Sequence, residues 1–178
     1  MTHTSQSPKP RTVIVGELAA VIEPWLRVLV EPGQVVELRA LNVPQKYGRP
    51  TTQFGYFDSD SLNVMAREAA NLTVGNATGV YWTLNPVNPD LVARAANRIR
   101  LAKSDETTSD RDVIRRRWLL IDADPKRPAG ISASDDEKEH ARQVAVAVDA
   151  FLFDAGWPAP TGPTRLKSLR LYELWLRN

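Results

Sequence analysis

At 178 residues, with 43% hydrophobic and 25% charged residues and a net charge of +2, the chain has the makeup of one soluble globular domain, neither disordered nor strongly basic. It has no cysteine, which excludes disulfides, thiolate metal sites and a cysteine nucleophile; with His3 and His140 its only histidines, a histidine-built metal site or catalytic dyad is not expected either. No apolar run is long enough to span a bilayer and no signal peptide is present, so a cytoplasmic protein without a membrane partner is expected.

Residues 1–10 are polar and proline-bearing and read as a disordered leader, ahead of one domain over residues 11–160. Leu18, Val21, Ile22, Trp25, Val28 and Leu29 fall at helical spacing, with Pro24 as a restart or a kink and Pro32-Gly33 as the stop. Val35 to Val43 alternates as a strand does, which sets Glu37 and Arg39 opposite Val36, Leu38 and Ala40. The loop that follows, Pro44 to Pro50, carries Lys46, Tyr47 and Arg49; it is either a solvated connection or a phosphate or strand-backbone contact. Thr51 to Phe57 reads as a second strand closing at Asp58. The caps Asp58 to Ser61 then open a helix through Leu62, Met65, Ala66 and Ala69.

Gly75 and Gly79 bracket a turn into a third strand, Val80 to Leu84, which Asn85-Pro86-Val87-Asn88-Pro89 cuts off. Pro89 suits the first turn of a helix expected from about Asp90 to Ala102, and Lys103 to Asp110 reads as a polar loop. Tyr56, Tyr81 and Trp82, inside expected strands, read as core rather than as a stacking platform. Ser134-Asp135-Asp136-Glu137 is a capping-box pattern. It opens a helix with Ala141, Val144, Ala145, Val148, Phe151, Leu152 and Ala155 as its buried stripe, His140 beside that stripe, and Gly156-Trp157-Pro158 as its end. Strands and helices interleave without repeats, which predicts an α+β (α/β-like) fold: a central mixed sheet flanked by helices.

The most informative stretch is Trp118-Leu119-Leu120-Ile121-Asp122-Ala123-Asp124-Pro125. Four large apolar residues, then two carboxylates at i and i+2, then proline, read as a buried strand whose end presents Asp122 and Asp124 on one face. Like charges held that close repel, and a divalent cation with hard oxygen ligands, Mg²⁺ or Mn²⁺, removes the penalty. The alternative is a strand ending at the surface with two solvated acids. Lys126 and Arg127 sit just beyond the carboxylates and could hold a phosphate, or simply form a charged turn between Pro125 and Pro128. The Arg115-Arg116-Arg117 triplet is badly placed to do so, because at about 3.3 Å per residue Arg116 lies on the order of 20 Å from Asp122.

The ordered segments Val35–Leu41, Gly55-Tyr56-Phe57-Asp58, Gly79–Pro89, Arg116–Pro125, Arg127–Ala133 and Gly156-Trp157-Pro158 together resemble the amino-terminal domain of phage and bacterial primase-polymerases, in the archaeo-eukaryotic primase superfamily. The resemblance spans roughly Leu18 to Pro160. It implies a template-directed DNA primase and polymerase that uses nucleoside triphosphates on a single-stranded DNA template, often ahead of a helicase domain. Asp122 and Asp124 match the family's catalytic, metal-binding pair. The family continues past the Gly-Trp-Pro turn into a Ser-Gly-Asn-Gly-x-His-like segment, whose histidine contacts the incoming nucleotide, and a later acidic strand supplies another metal ligand. This sequence has no match to either. It is therefore expected to be a partial catalytic domain followed by an unrelated tail, residues 161–178, whose leucines fit neither a helical nor a strand period. Such a tail is expected to pack poorly, or to form a helix or strand that covers the sheet only loosely. Other Asp-x-Asp chemistries fit less well: a phosphatase wants a threonine where Lys126 stands, and a sugar-nucleotide transferase wants a nucleotide-binding unit with a glycine-rich loop.

Overall fold

The computed structural model describes residues 11–123, 132–158 and 169–173, and the chain divides into two compact units, Met1–Arg115 and Arg116–Asn178.

In the first unit, helix α1 (Arg11–Leu29) leads into strands β1 (Val35–Val43) and β2 (Thr51–Asp58), then α2 (Leu62–Val74), β3 (Gly79–Trp82) and the short β4 (Arg100–Leu101). The sheet order is β3-β1-β2-β4 and each of its ladders is antiparallel, so the α+β class holds while the expected mixed sheet does not. For β1 and β2 antiparallel pairing follows from their short connection, because a parallel neighbour needs a long crossover. The register slips between Ala40 and Val43, where Asn42 takes a left-handed φ of 50° that asparagine tolerates better than most residues.

Both sheet faces are covered. On one, Val35, Phe54 and Tyr56 pack with Val87, Leu91 and Ala95, and the Phe54 and Tyr56 rings meet edge to face at 5.7 Å. On the other, Val36, Leu38, Ala40 and Phe57 are buried, α2 lies against the strands with Leu62, Met65, Ala66 and Ala69 buried, and α1 packs along α2. A Cβ at Gly55 would collide with the Arg98 carbonyl, so only glycine allows that backbone to come so close. Helix α1 contains Pro24 without ending there, and it buries Val15, Leu26 and Leu29, while Val21 and Val28 of the expected face are exposed. Apolar residues surround this helix, so periodicity alone left the buried face undetermined.

The helix expected from Asp90 to Ala102 is a 3₁₀ turn, Pro89–Arg94, followed by β4. It starts as predicted, on Pro89, with Asn88 capping the Asp90 N–H. The edge of β2 then captures the chain: Tyr56 N–H donates to the Ala95 carbonyl, Asn97 N–H donates to the Tyr56 carbonyl, and Asn97 turns left-handed at φ 49°. Backbone groups satisfied by a neighbouring strand cannot continue a helix.

In the second unit, β5 (Trp118–Asp122) pairs antiparallel with β6 (Leu169–Glu173), in register from Trp118 opposite Glu173 to Asp122 opposite Leu169. Residues 169–173 of the tail thus form a strand, one of the structures expected of it, and β5 belongs to this pair and not to the four-stranded sheet. Helix α3 (Asp135–Asp154) opens on the predicted capping box: Glu137 N–H donates to Ser134 Oγ and Ser134 N–H to the Glu137 carboxylate. It ends at Gly156, φ 83°, where Trp157 N–H donates to the Leu152 carbonyl and Gly156 N–H to that of Phe153. The buried stripe is narrower than expected, Ala141, Ala145 and Leu152; Val144, Phe151 and Ala155 are exposed and Val148 is half-buried. His140 is exposed, as its position beside the stripe implied.

Candidate functional site

The Asp-x-Asp stretch begins where a strand ends. Trp118 is buried and anchors β5, which stays extended and paired through Asp122; Ala123 follows, and Asp124, Lys126 and Arg127 lie outside the described residues. The expectation of a strand over this stretch is met up to Asp122; its place in a central sheet is not. In the first unit Arg115 pairs with Glu31 at 2.9 Å, and in the second the Arg117 guanidinium lies over the Trp118 ring at 4.7 Å. Among the described residues no group of three or more carboxylates and histidines converges.

The first unit holds a polar network that sequence reading missed. Glu37 is only 1% exposed, and its carboxylate accepts from Arg39 through Nε at 3.0 Å and Nη2 at 2.6 Å, and from Thr108 N–H at 3.0 Å. Arg39 Nη2 also donates to the Thr108 carbonyl at 2.9 Å. The Thr108 hydroxyl donates to the Tyr56 hydroxyl, which donates to the Glu106 carbonyl. The Glu106 carboxylate in turn accepts from Arg100 at 2.6 Å and from Lys103 N–H at 2.9 Å. The expected polar loop from Lys103 to Asp110 is thus clamped across a sheet face. With both Glu37 oxygens engaged by Arg39 and Thr108, the group is a structural anchor rather than a free base. Burial pushes the Tyr56 phenol above its usual range, which keeps it a protonated donor at neutral pH. The one available signal was Glu37 and Arg39 two apart on a strand, hence on one face.

Tyr56 is core, as expected, and Trp82 is half-buried, but Tyr81, on the edge strand β3, is exposed.

Asp58 is tied to Asn97, which donates Nδ2 to Oδ2 at 2.7 Å and accepts from the Asp58 N–H at 3.1 Å. The Asn97 hydrogen bond holds the Asp58 carboxyl below its usual range. A depressed carboxyl contributes stability above its unfolded value of 3.8, and the contribution is lost as pH falls through the lower folded value. Urea midpoints measured from pH 7 to pH 3 should therefore fall at the acid end, and Asp58→Asn should flatten that fall. An identical acid limb in the variant would show that Asp58 does not contribute to it.

Among the described residues no helix is long and apolar enough to cross a membrane. Comparison with protein-family models, with curated proteins and with solved structures found no match.

Proposed function

We propose that the chain is a primase-polymerase-like domain for template-directed, metal-dependent nucleotidyl transfer in phage- or plasmid-type DNA replication. The observation that supports it is an extended strand, β5, running into Asp122-Ala123-Asp124 with Lys126 and Arg127 directly beyond. Two carboxylates without thiolate or neighbouring imidazole are a hard-oxygen donor set, which fits Mg²⁺ or Mn²⁺. The reaction joins a primer 3′ hydroxyl to the α-phosphate of a nucleoside triphosphate and releases pyrophosphate. A divalent ion, when bound, neutralises charge on the phosphates. Asp122 and Asp124 would hold it, and Lys126 and Arg127 would take the triphosphate oxygens. A single-stranded DNA template and a helicase partner or domain belong to this reading.

A second reading, residual metal or nucleic-acid binding without catalysis, is favoured for the isolated chain by one observation. Residues 161–178 have no match to the histidine-bearing segment that the resemblance implies, and His140 is exposed on α3. Loss of one positioned donor to a transferring group costs about 10²–10³ in rate. The purified chain should therefore incorporate labelled nucleotide on a primed template only at background level with Mn²⁺. Incorporation that is metal-dependent and lost in Asp124→Ala would overturn this second reading and establish the first in full.

A further inference from the structure

The loop between β1 and β2 combines cations, an exposed aromatic ring and an absence of acids. No acidic residue occurs from Leu38 to Phe57, a run that contains Arg39, Lys46 and Arg49. Arg39 is committed to Glu37, as Arg27, Arg100 and Arg115 are to Glu23, Glu106 and Glu31. Among the described residues neither Lys46 nor Arg49 has a carboxylate partner, and both are exposed. Between them Tyr47 is 82% exposed, with the Lys46 ammonium 5.3 Å from its ring centre. A lone exposed tyrosine is ordinary. One framed by two cations without a carboxylate partner, in a run free of acids, is the combination that binds single-stranded nucleic acid: a ring on which a base stacks and charges that follow the phosphates.

The loop is also held in shape. Gln45 Nε2 bridges its neck, donating to the Val43 carbonyl at 3.2 Å and to Thr51 Oγ1 at 3.0 Å. Gly48 supplies a left-handed turn at φ 92°, and prolines 44 and 50 restrict both ends. A loop ordered beforehand loses less entropy when a strand binds.

We infer that the 44–50 loop is a contact site for single-stranded nucleic acid, with Tyr47 stacking on a base and Lys46 and Arg49 on flanking phosphates. The choice of a nucleic-acid ligand rests on the function proposed above, while the site itself is independent of the carboxylates. The test is fluorescence anisotropy of labelled oligo-dT and oligo-U with the full chain in EDTA and without nucleotide, so failure of metal-dependent transfer leaves the result standing. Tyr47→Ala should weaken binding roughly tenfold, and Tyr47→Phe, which keeps the ring, should stay close to wild type. The double variant Lys46→Ala/Arg49→Ala should reduce the slope of log affinity against log salt by about 1.4, at about 0.7 per phosphate contact. Equal binding of both oligonucleotides assigns the site to backbone and stacking, and tighter binding of oligo-dT assigns it to a DNA template; either supports the inference. Absence of binding by the wild type, unchanged affinity and salt slope in the variants, or equal losses in Tyr47→Phe and Tyr47→Ala would overturn it.

Discussion

Replacing Arg39 with methionine is expected to destabilise the first unit by about 3–5 kcal/mol, because it leaves the Glu37 carboxylate buried without its counter-charge. The size follows from the geometry. Glu37 is 1% exposed and accepts two hydrogen bonds from Arg39, at 3.0 and 2.6 Å, while the Arg39 side chain is 32% exposed, so solvent reaches one side of the pair and the cost falls at the low end of that range. The same guanidinium holds the Thr108 carbonyl, and its loss frees the loop that Thr108 anchors. The double variant Glu37→Gln/Arg39→Met should recover a large part of the loss: the buried charge is gone and the glutamine oxygen can still accept from Thr108 N–H. Urea denaturation followed by tryptophan fluorescence measures both. A single-variant cost below about 1 kcal/mol, the scale of an exposed ion pair, would show that the pair is solvated in solution and does not clamp the loop.

That network also marks where sequence reading ends. Strands β1 and β2 and helix α2 were legible, since period-two alternation over Val35–Val43 and caps before Leu62 each point to one local structure. The capping box at Ser134 and the glycine at 156 fixed both ends of α3 for the same reason. What escaped was decided by partners distant in sequence. Nothing local to Asp90–Ala102 announces that the edge of β2 will take Ala95 and Asn97 out of a helix. Nor does Glu37 announce a lid formed by Thr108, 71 residues away. Tyr81 misled because a strand residue is core only when something covers its face, and that depends on strand order. For the Leu169–Glu173 strand, period left helix and strand undecided, because its leucines lack the context of β5 across the ladder. Of the candidate site, sequence supplied the strand up to Asp122, while Asp124, Lys126 and Arg127 lie outside the described residues.

The second large effect is loss of metal binding. Asp122 and Asp124 are proposed as the ligands of one divalent ion, and two carboxylates give a modest affinity that depends on both. Asparagine keeps the size of aspartate and removes the negative charge, so Asp122→Asn or Asp124→Asn should each weaken binding well beyond the roughly tenfold that disturbing a ligand's orientation alone brings. Affinity should also fall as pH drops into the carboxylate range, because protons compete for the same oxygens. The deciding measurement is titration of Mn²⁺ into the full chain, with free ion read by electron paramagnetic resonance, for the wild type and both variants. Saturable binding by the wild type that disappears in each variant is the predicted result; no saturable binding, or binding that survives both substitutions, would contradict it.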